Sequence, residues 1–367
     1  MSRVFFHVQH LLGIGHIRRA AILARTLAAS GFDVLLVSGG APLKLDLGLA
    51  RFHQLPSVRA RNDDLRELSR LDGAPLDEAF KAQRVRTLLD LFRAEQPDVL
   101  ITEQFPFGRT QLRFELLPLL ELAQERRSKP LIVSSVRDVV RRSVSPQRVQ
   151  ETLELLRAFD TVLIHGDPKV IGFERSFAAW DAIRDRAAYT GYVADLARAE
   201  GAAGKDEVIV SVGGGAVGAP LIEAAAAARA KTALAGRTWR LLGGMGETRT
   251  VNGMVVEPAR SDFPTLLRNA TLSISQAGYN TVVETLACAD RAVLVPFGTA
   301  RETEQTDRAI WLAERGLVTC LPAESLAPDT LASAVDRALQ RPSIRSFPPC
   351  DLNGAATTAA LLHQRLA

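Results

Sequence analysis

Three short segments combine residue types and spacings that can do chemistry on one ligand. They are Ser211-Val212-Gly213-Gly214-Gly215-Ala216-Val217-Gly218, then Ser275-Gln276-Ala277-Gly278-Tyr279-Asn280-Thr281-Val282-Val283-Glu284, then Glu304-Gln305. The first follows Glu207-Val208-Ile209-Val210, a β-branched run that reads as a buried strand, and precedes an Ala-rich helix former from Pro220 to Ala230. Glycines at such a turn let backbone N–H groups face an anion at a helix N-terminus, where the helix dipole also favours negative charge. The spacing is neither a Walker loop nor a dinucleotide fingerprint, and a tight structural turn is the alternative.

The second segment repeats the geometry. Thr271 to Ser275 reads as a strand and Thr281 to Ala287 as a helix, so Gly278 marks a second backbone site for phosphate. Glu284 lies in that helix with Val282, Val283 and Leu286 on its core face. A carboxylate there can accept both hydroxyls of a ribose; a solvated helix face is the plainer reading. Glu304 and Gln305 follow a strand and Pro296 and open a helical stretch running to Arg315, which lets both side chains project from a helix start.

The order of these segments resembles the inverting GT-B transferases related to the bacterial enzyme that adds N-acetylglucosamine to form lipid II, and a group of predicted glycosyltransferases. The resemblance implies that Gly214, Gly215, Ala277, Gly278, Tyr279 and Asn280 hold the donor diphosphate and that Glu284 holds the ribose. The family's paired Gln residues, which grip the donor sugar, match Glu304 and Gln305. Here the chain departs from the pattern, since the first Gln is a Glu, which leaves the sugar open. The loop Val256-Glu257-Pro258-Ala259-Arg260 matches one that contacts the base, so Arg260 and Phe263 are expected to border a uracil, with plain core the alternative for Phe263.

The N-terminal half matches in one motif, Gly13-Ile14-Gly15-His16-Ile17-Arg18-Arg19, after the strand Val4 to Val8. In the family this loop closes over the diphosphate and faces the acceptor, which adds Gly13 and Gly15 to the donor-binding set. His16 is the candidate general base for the acceptor hydroxyl, given an unperturbed pKa near neutrality; capping of the following helix is the alternative. Arg18 and Arg19 oppose the dipole of that helix, which an anionic ligand or simple solvation would offset. Glu103-Gln104-Phe105-Pro106-Phe107-Gly108-Arg109 follows a strand and is placed on the acceptor side. Asp138, after the next strand, is the second candidate base.

These residues need a scaffold that presents strand ends. In the first half, strands are expected at Val4 to Val8, Asp33 to Val37, Asp98 to Ile101, Leu131 to Val136 and Thr161 to Ile164, with helices at Leu76 to Ala94 and Gln147 to Ala158 and a last strand at Ala188 to Tyr192. The second half repeats the alternation, with strands at Val208, Trp239 to Leu242, Met254 to Val256, Leu272 to Ile274, Ala292 to Val295 and Leu317 to Cys320. Such alternation is the mark of doubly wound parallel sheets, whose ligands sit at the carboxyl ends of strands. The expected fold class is α/β: a GT-B arrangement of two Rossmann-like domains facing across a cleft. The expected bounds are 1–195 for the acceptor-side domain, 196–206 for a linker, 207–345 for the nucleotide-sugar domain, and 346–367 for a tail helix returning to the first domain.

Composition narrows the class. The 367 residues, 47% of them hydrophobic, can bury two cores. No apolar run reaches the ~18 residues of a membrane span, and the start resembles no secretory signal. Cys288, Cys320 and Cys350 are few and far apart, which argues against a disulfide framework or a zinc site. A net charge of +4 is mildly basic, with Arg137, Arg141 and Arg142, and Arg126, Arg127 and Lys129, clustered in the first half. Such patches suit an anionic lipid surface or a phosphorylated acceptor, or are plain solvated loops. Only 6% of residues are aromatic and no recognition motif is present, which disfavours nucleic acid.

The expected activity is transfer of a sugar from a UDP-sugar, UDP-N-acetylglucosamine being one candidate, to an acceptor hydroxyl with inversion. The acceptor is expected to be lipid-linked or anionic, and the location cytoplasmic with peripheral contact at the inner face of the membrane. No cofactor is expected, and no metal, because no two aspartates are separated by a single residue. The alternatives are a nucleotide-sugar epimerase or hydrolase of the same architecture, and a noncatalytic nucleotide-sugar-binding protein.

Overall fold

Apolar runs that are buried along nearly their whole length become parallel strands covered by helices on both faces. The computed structural model describes residues 1–11, 13–61, 67–142, 145–196, 201–212, 218–243, 248–298 and 303–367. The chain divides into two units, Met1–Pro168 with Gly172–Val193 and Asp351–Ala367, and Lys169–Ile171 with Ala194–Cys350.

The first unit contains β1 (Arg3–Val8), β2 (Asp33–Ser38), β3 (Arg51–Gln54), β4 (Val58–Ala60), β5 (Leu68–Arg70), β6 (Val99–Glu103), β7 (Leu131–Arg137), β8 (Thr161–His165) and β9 (Ala187–Tyr189), with α1 (Gly15–Ala29), α2 (Glu78–Glu95), α3 (Arg113–Glu125) and α4 (Pro146–Leu156). Seven strands form one sheet in the order β3-β2-β1-β6-β7-β8-β9, while β4 and β5 pair with each other. Every neighbouring pair in the large sheet is parallel. Strand alternation splits the core: Phe5, Leu35 and Leu100 pack with Leu88 and Phe92 of α2 and Leu116 and Leu119 of α3. Val4, Phe6 and Val8 face the other way, onto Ile17, Leu23 and Leu27 of α1.

The second unit contains β10 (Val208–Ser211), β11 (Trp239–Leu242), β12 (Arg249–Val251), β13 (Met254–Glu257), β14 (Leu272–Ser275), β15 (Ala292–Leu294) and β16 (Thr319–Cys320). Its helices are α5 (Ala219–Ala228), α6 (Phe263–Asn269), α7 (Tyr279–Cys288), α8 (Glu304–Glu314) and α9 (Pro328–Leu339). The sheet order is β12-β13-β11-β10-β14-β15-β16, parallel except for the β12–β13 edge pair. Val208, Val210 and Val212 pack with Leu221 and Ala225 of α5 and Leu331 and Val335 of α9. The last helix, α10 (Gly354–Leu366), belongs to the first unit, where His363 stacks on Phe32 with ring centroids 4.2 Å apart.

Each sheet has one place where the order of strands reverses: between β1 and β6 in the first unit, and between β10 and β14 in the second. Loops leaving adjacent strands in opposite directions part there, opening a crevice at the carboxyl edge. The loop after β1 leads through Gly13 and Ile14 into α1, the one after β6 carries Gln104 to Arg109, and the one after β14 carries Gln276 to Gly278.

The strands run further than their apolar cores imply. Expected to stop at Ile101, Val136 and Ile164, they extend to Glu103, Arg137 and His165, because main-chain pairing continues after the apolar residues end. The expected final strand to Tyr192 is shorter, since Gly191 turns the chain at φ +86°. The short strands β3, β4, β5 and β12 lack long apolar runs, and α3 has Pro118 in its interior.

Candidate functional site

In the second unit, β14 ends at Ser275 and α7 begins at Tyr279, leaving a three-residue turn, Gln276-Ala277-Gly278. Gly278 is the N-cap, at φ −63° and ψ 147°, and α7 has no capping side chain and no acidic residue in its first turn. Its φ is open to any residue, and a Cβ built on it would meet nothing within 4 Å. Neither backbone strain nor packing among the described residues requires glycine at this position. The open helix start leaves room for an outside group, and the helix dipole favours an anion there.

The turn is held from behind by α8. Gln305 Oε1 accepts the N–H of Ala277 at 3.1 Å and that of Phe297 at 3.2 Å. The amide is thereby oriented, and its NH₂ presents donors only. Arg308, fully buried, donates through Nη1 to the Ala277 carbonyl at 3.1 Å and through Nη2 to Glu304 Oε1 at 3.0 Å. Its guanidinium carbon lies 5.8 Å from the centre of the Tyr279 ring. Glu304, where the family pattern has Gln, is thus the counter-charge of a buried arginine one turn on, the helical spacing at which such pairs meet.

The other donor-side residues fall as follows. Tyr279 is buried, while Asn280 and Glu284 are half-buried on α7. Arg260 grips Asp262 with two bonds, Nε to Oδ1 at 2.8 Å and Nη2 to Oδ2 at 2.6 Å, and reaches Glu257 at 3.4 Å. Those bonds raise the Arg260 pKa and lower that of Asp262. Phe263 opens α6 half-buried. Gly214 and Gly215 lie outside the described residues.

In the first unit, the loop after β1 delivers Gly13, exposed, and then α1, which starts at Gly15 with Ile14 as N-cap. His16 is therefore inside the first turn rather than capping it, and its Nδ1 lies 2.7 Å from Oε1 of Glu103, the last residue of β6. Arg19, one turn on, is fully buried and ion-paired with the same oxygen, so it is not the solvated surface arginine that its sequence position allowed. Glu103 joins β6 to α1 across the reversal point of the sheet.

Burial and the nearby Arg137 guanidinium push the His16 imidazole down to about 3, against the pull of Glu103. For Glu103, burial acts upward, but His16 and Arg19 outweigh it and hold the carboxyl below its usual range. Arg19 already neutralises the carboxylate, so the imidazole is neutral at physiological pH and Arg19 is the charge that keeps Glu103 ionised there. An ionised carboxylate can only accept, which places the ring proton on Nδ1 and leaves Nε2 as the basic nitrogen.

Around this pair, Gln104 and Arg109 adopt left-handed backbone at φ 65° and 61°. Non-glycine residues in that region cost energy and collect at functional loops. His165, at the end of β8, is fully buried between Ser135 Oγ and Thr190 Oγ1, each at 2.8 Å, and burial followed by the Arg19 charge holds its pKa well below normal. Asp138, the second candidate base, is fully buried: its Oδ1 accepts the Val139 N–H at 2.9 Å, and Gly166 packs against its Cβ. His16 has, in Glu103, a partner that sets its ring proton. The motif reading named Glu103 only as part of an acceptor-side segment, without its pairing to His16, and did not name Arg308.

Residues 209–349 match the model of the glycosyltransferase family 28 C-terminal domain. The chain is 28% identical over 123 residues to the UDP-N-acetylglucosamine--N-acetylmuramyl-(pentapeptide) pyrophosphoryl-undecaprenol N-acetylglucosamine transferase of Methylorubrum extorquens, covering 32% of this chain and 33% of that one. It is 37% identical over 84 residues to the same transferase of Rhodospirillum rubrum, covering 23% and 22%. The chain thus spans a third or less of the length of these curated relatives. Over the whole chain it resembles the solved calicheamicin glycosyltransferase, with a TM-score of 0.65 and 17% identity, covering 100% of this chain and 98% of that one. MurG of Acinetobacter baumannii aligns with a TM-score of 0.60 and 16% identity, covering 99% and 100%. The fold is GT-B, and the match to the family 28 domain model lies in the second unit.

Proposed function

We propose that this protein is a glycosyltransferase that moves a sugar from a UDP-sugar to an acceptor hydroxyl, with inversion and without a metal. The observation that carries the reading is Gly278: an uncapped helix start at the reversal point of the second sheet, glycine where nothing among the described residues demands it, within the stretch that matches the family 28 domain. The curated relatives are named for UDP-N-acetylglucosamine, which supports uridine as the base and N-acetylglucosamine as a first sugar to try. Their pyrophosphoryl-undecaprenol acceptor makes a lipid-linked or anionic acceptor the one to test first.

The roles follow from the chemistry of each unit. Main-chain N–H groups at the start of α7 take the diphosphate, Glu284 the ribose hydroxyls, and Glu304 and Gln305 the sugar. In the first unit, Nε2 of His16 removes the acceptor proton while Glu103 stabilises the imidazolium that forms. The acceptor oxygen bonds to the anomeric carbon through an oxocarbenium-like transition state, the bond from that carbon to the β-phosphate oxygen breaks, and UDP leaves with the electron pair. The test is titration calorimetry with UDP: the reading expects saturable binding, lost when Gly278 is replaced by Val, and a folded protein that binds no UDP contradicts it.

A further inference from the structure

Ala277 is held at both ends of its polar backbone by one helix: its N–H by Gln305 and its carbonyl by Arg308, both from the first turns of α8. Arg308 also holds Glu304, and the side chains of the pair are 0% and 17% exposed. A carboxylate so close to a turn that receives a diphosphate would repel it, unless a cation cancels its charge.

We infer that Arg308 is a positioning residue of the donor site, with two effects. It neutralises Glu304, so that a carboxylate can replace the family's amide beside the diphosphate, and it fixes the Ala277 peptide, so that the sugar-gripping helix and the phosphate-gripping turn move as one piece. The inference rests on the donor reading above and adds that Arg308 is the charge partner that makes the Glu304 carboxylate tolerable beside the diphosphate. It accounts for the one departure from the paired-Gln pattern by a residue on the same helix.

The two effects have separate signatures. Replacing Arg308 by Gln removes that guanidinium from beside the carboxylate, and UDP affinity should fall about tenfold or more. In the double variant Glu304→Gln with Arg308→Gln the charge is gone, and most of that loss should be recovered, which a merely structural arginine would not allow. Calorimetry with UDP on the full chain, with circular dichroism to establish folding, reads both. Equal weakness of the single and double variants, or a single variant with native affinity, overturns the inference. Should Arg308→Gln not fold, Arg308→Lys keeps the charge and must hold UDP affinity within about threefold of the native protein; a tenfold loss overturns the inference. A native protein that binds no UDP removes the donor reading and this inference with it, whereas native binding with either overturning result removes the inference alone.

Discussion

His16 Nδ1 and Glu103 Oε1 are 2.7 Å apart, joining the first turn of α1 to the last residue of β6 where the strand order of the first sheet reverses. The carboxylate fixes the tautomer and orientation of the ring, and Arg19 fixes the carboxylate. A general base contributes about 10²–10⁴-fold, so His16→Ala should lower kcat by that order with UDP affinity nearly unchanged. Glu103→Gln should lower kcat while UDP affinity again holds, because the ring loses the group that sets its tautomer. Steady-state kinetics beside UDP calorimetry check both; native turnover in folded His16→Ala would leave Asp138 as the base to test.

The pH profile should be unusual for a histidine base. His16 titrates at about 3 rather than near 6.5, so it is already unprotonated throughout the neutral range. The kcat/KM of the enzyme should therefore show no acid limb near 6.5, and activity should persist as pH falls until stability fails. A limb at 6 to 7 that disappears in His16→Ala would contradict the neutral ring.

Stability carries the opposite linkage. Burial lowers the pKa of His10, His16 and His165 in the folded state, so the unfolded chain binds more protons below about pH 6.5. The stabilising effect of keeping these rings neutral is complete above that pH and is lost as pH falls toward the folded values. Thermal melts should show Tm declining from pH 6.5 to 4. For His165→Asn, whatever its Tm at neutral pH, the decline should be shallower, and an equal slope would contradict the assignment.

Glu284 is expected to anchor the ribose. A hydrogen bond to a charged group is worth roughly 1.5–3 kcal/mol, so Glu284→Ala should weaken UDP binding about 10- to 100-fold. Unchanged affinity in the folded variant removes the residue from the site.

Sugar choice should be separable from nucleotide affinity. Glu304→Gln keeps an acceptor for Arg308 but removes the carboxylate, and it should change the ranking of UDP-sugars by kcat/KM with UDP affinity nearly intact. An identical ranking would leave Glu304 as the partner of Arg308 and nothing more.

Local signals and distant pairings differed in how far the chain disclosed them. The Ala277-Gly278 turn, Glu284 and the His16 loop could be read because strand, glycine and helix start are adjacent in sequence. Glu103 lay in a segment already placed on the acceptor side, yet its pairing with His16 spans 87 positions, which no local pattern reports. The available sign was a charged residue directly after an apolar strand. Arg19 stayed open between an anionic ligand and simple solvation because helix position alone does not show which face a neighbouring strand end covers. Arg308 was open to inference, since a Glu four residues before an Arg on a helix is a pairing signal. The edge strands β3 and β12 escaped notice because exposed, mixed residues mark no buried face.

The central claim is transfer from a nucleotide-sugar, and the direct measurement is mass spectrometry of the products formed when the 367-residue chain is incubated with UDP-N-acetylglucosamine and other UDP-sugars, a lipid-containing cell extract, and a chelator. The account predicts UDP and a glycosylated product in matching amounts despite the chelator, both lost in His16→Ala. UDP without glycosylated product, turnover restored only by magnesium or manganese, or no consumption of any UDP-sugar would contradict it.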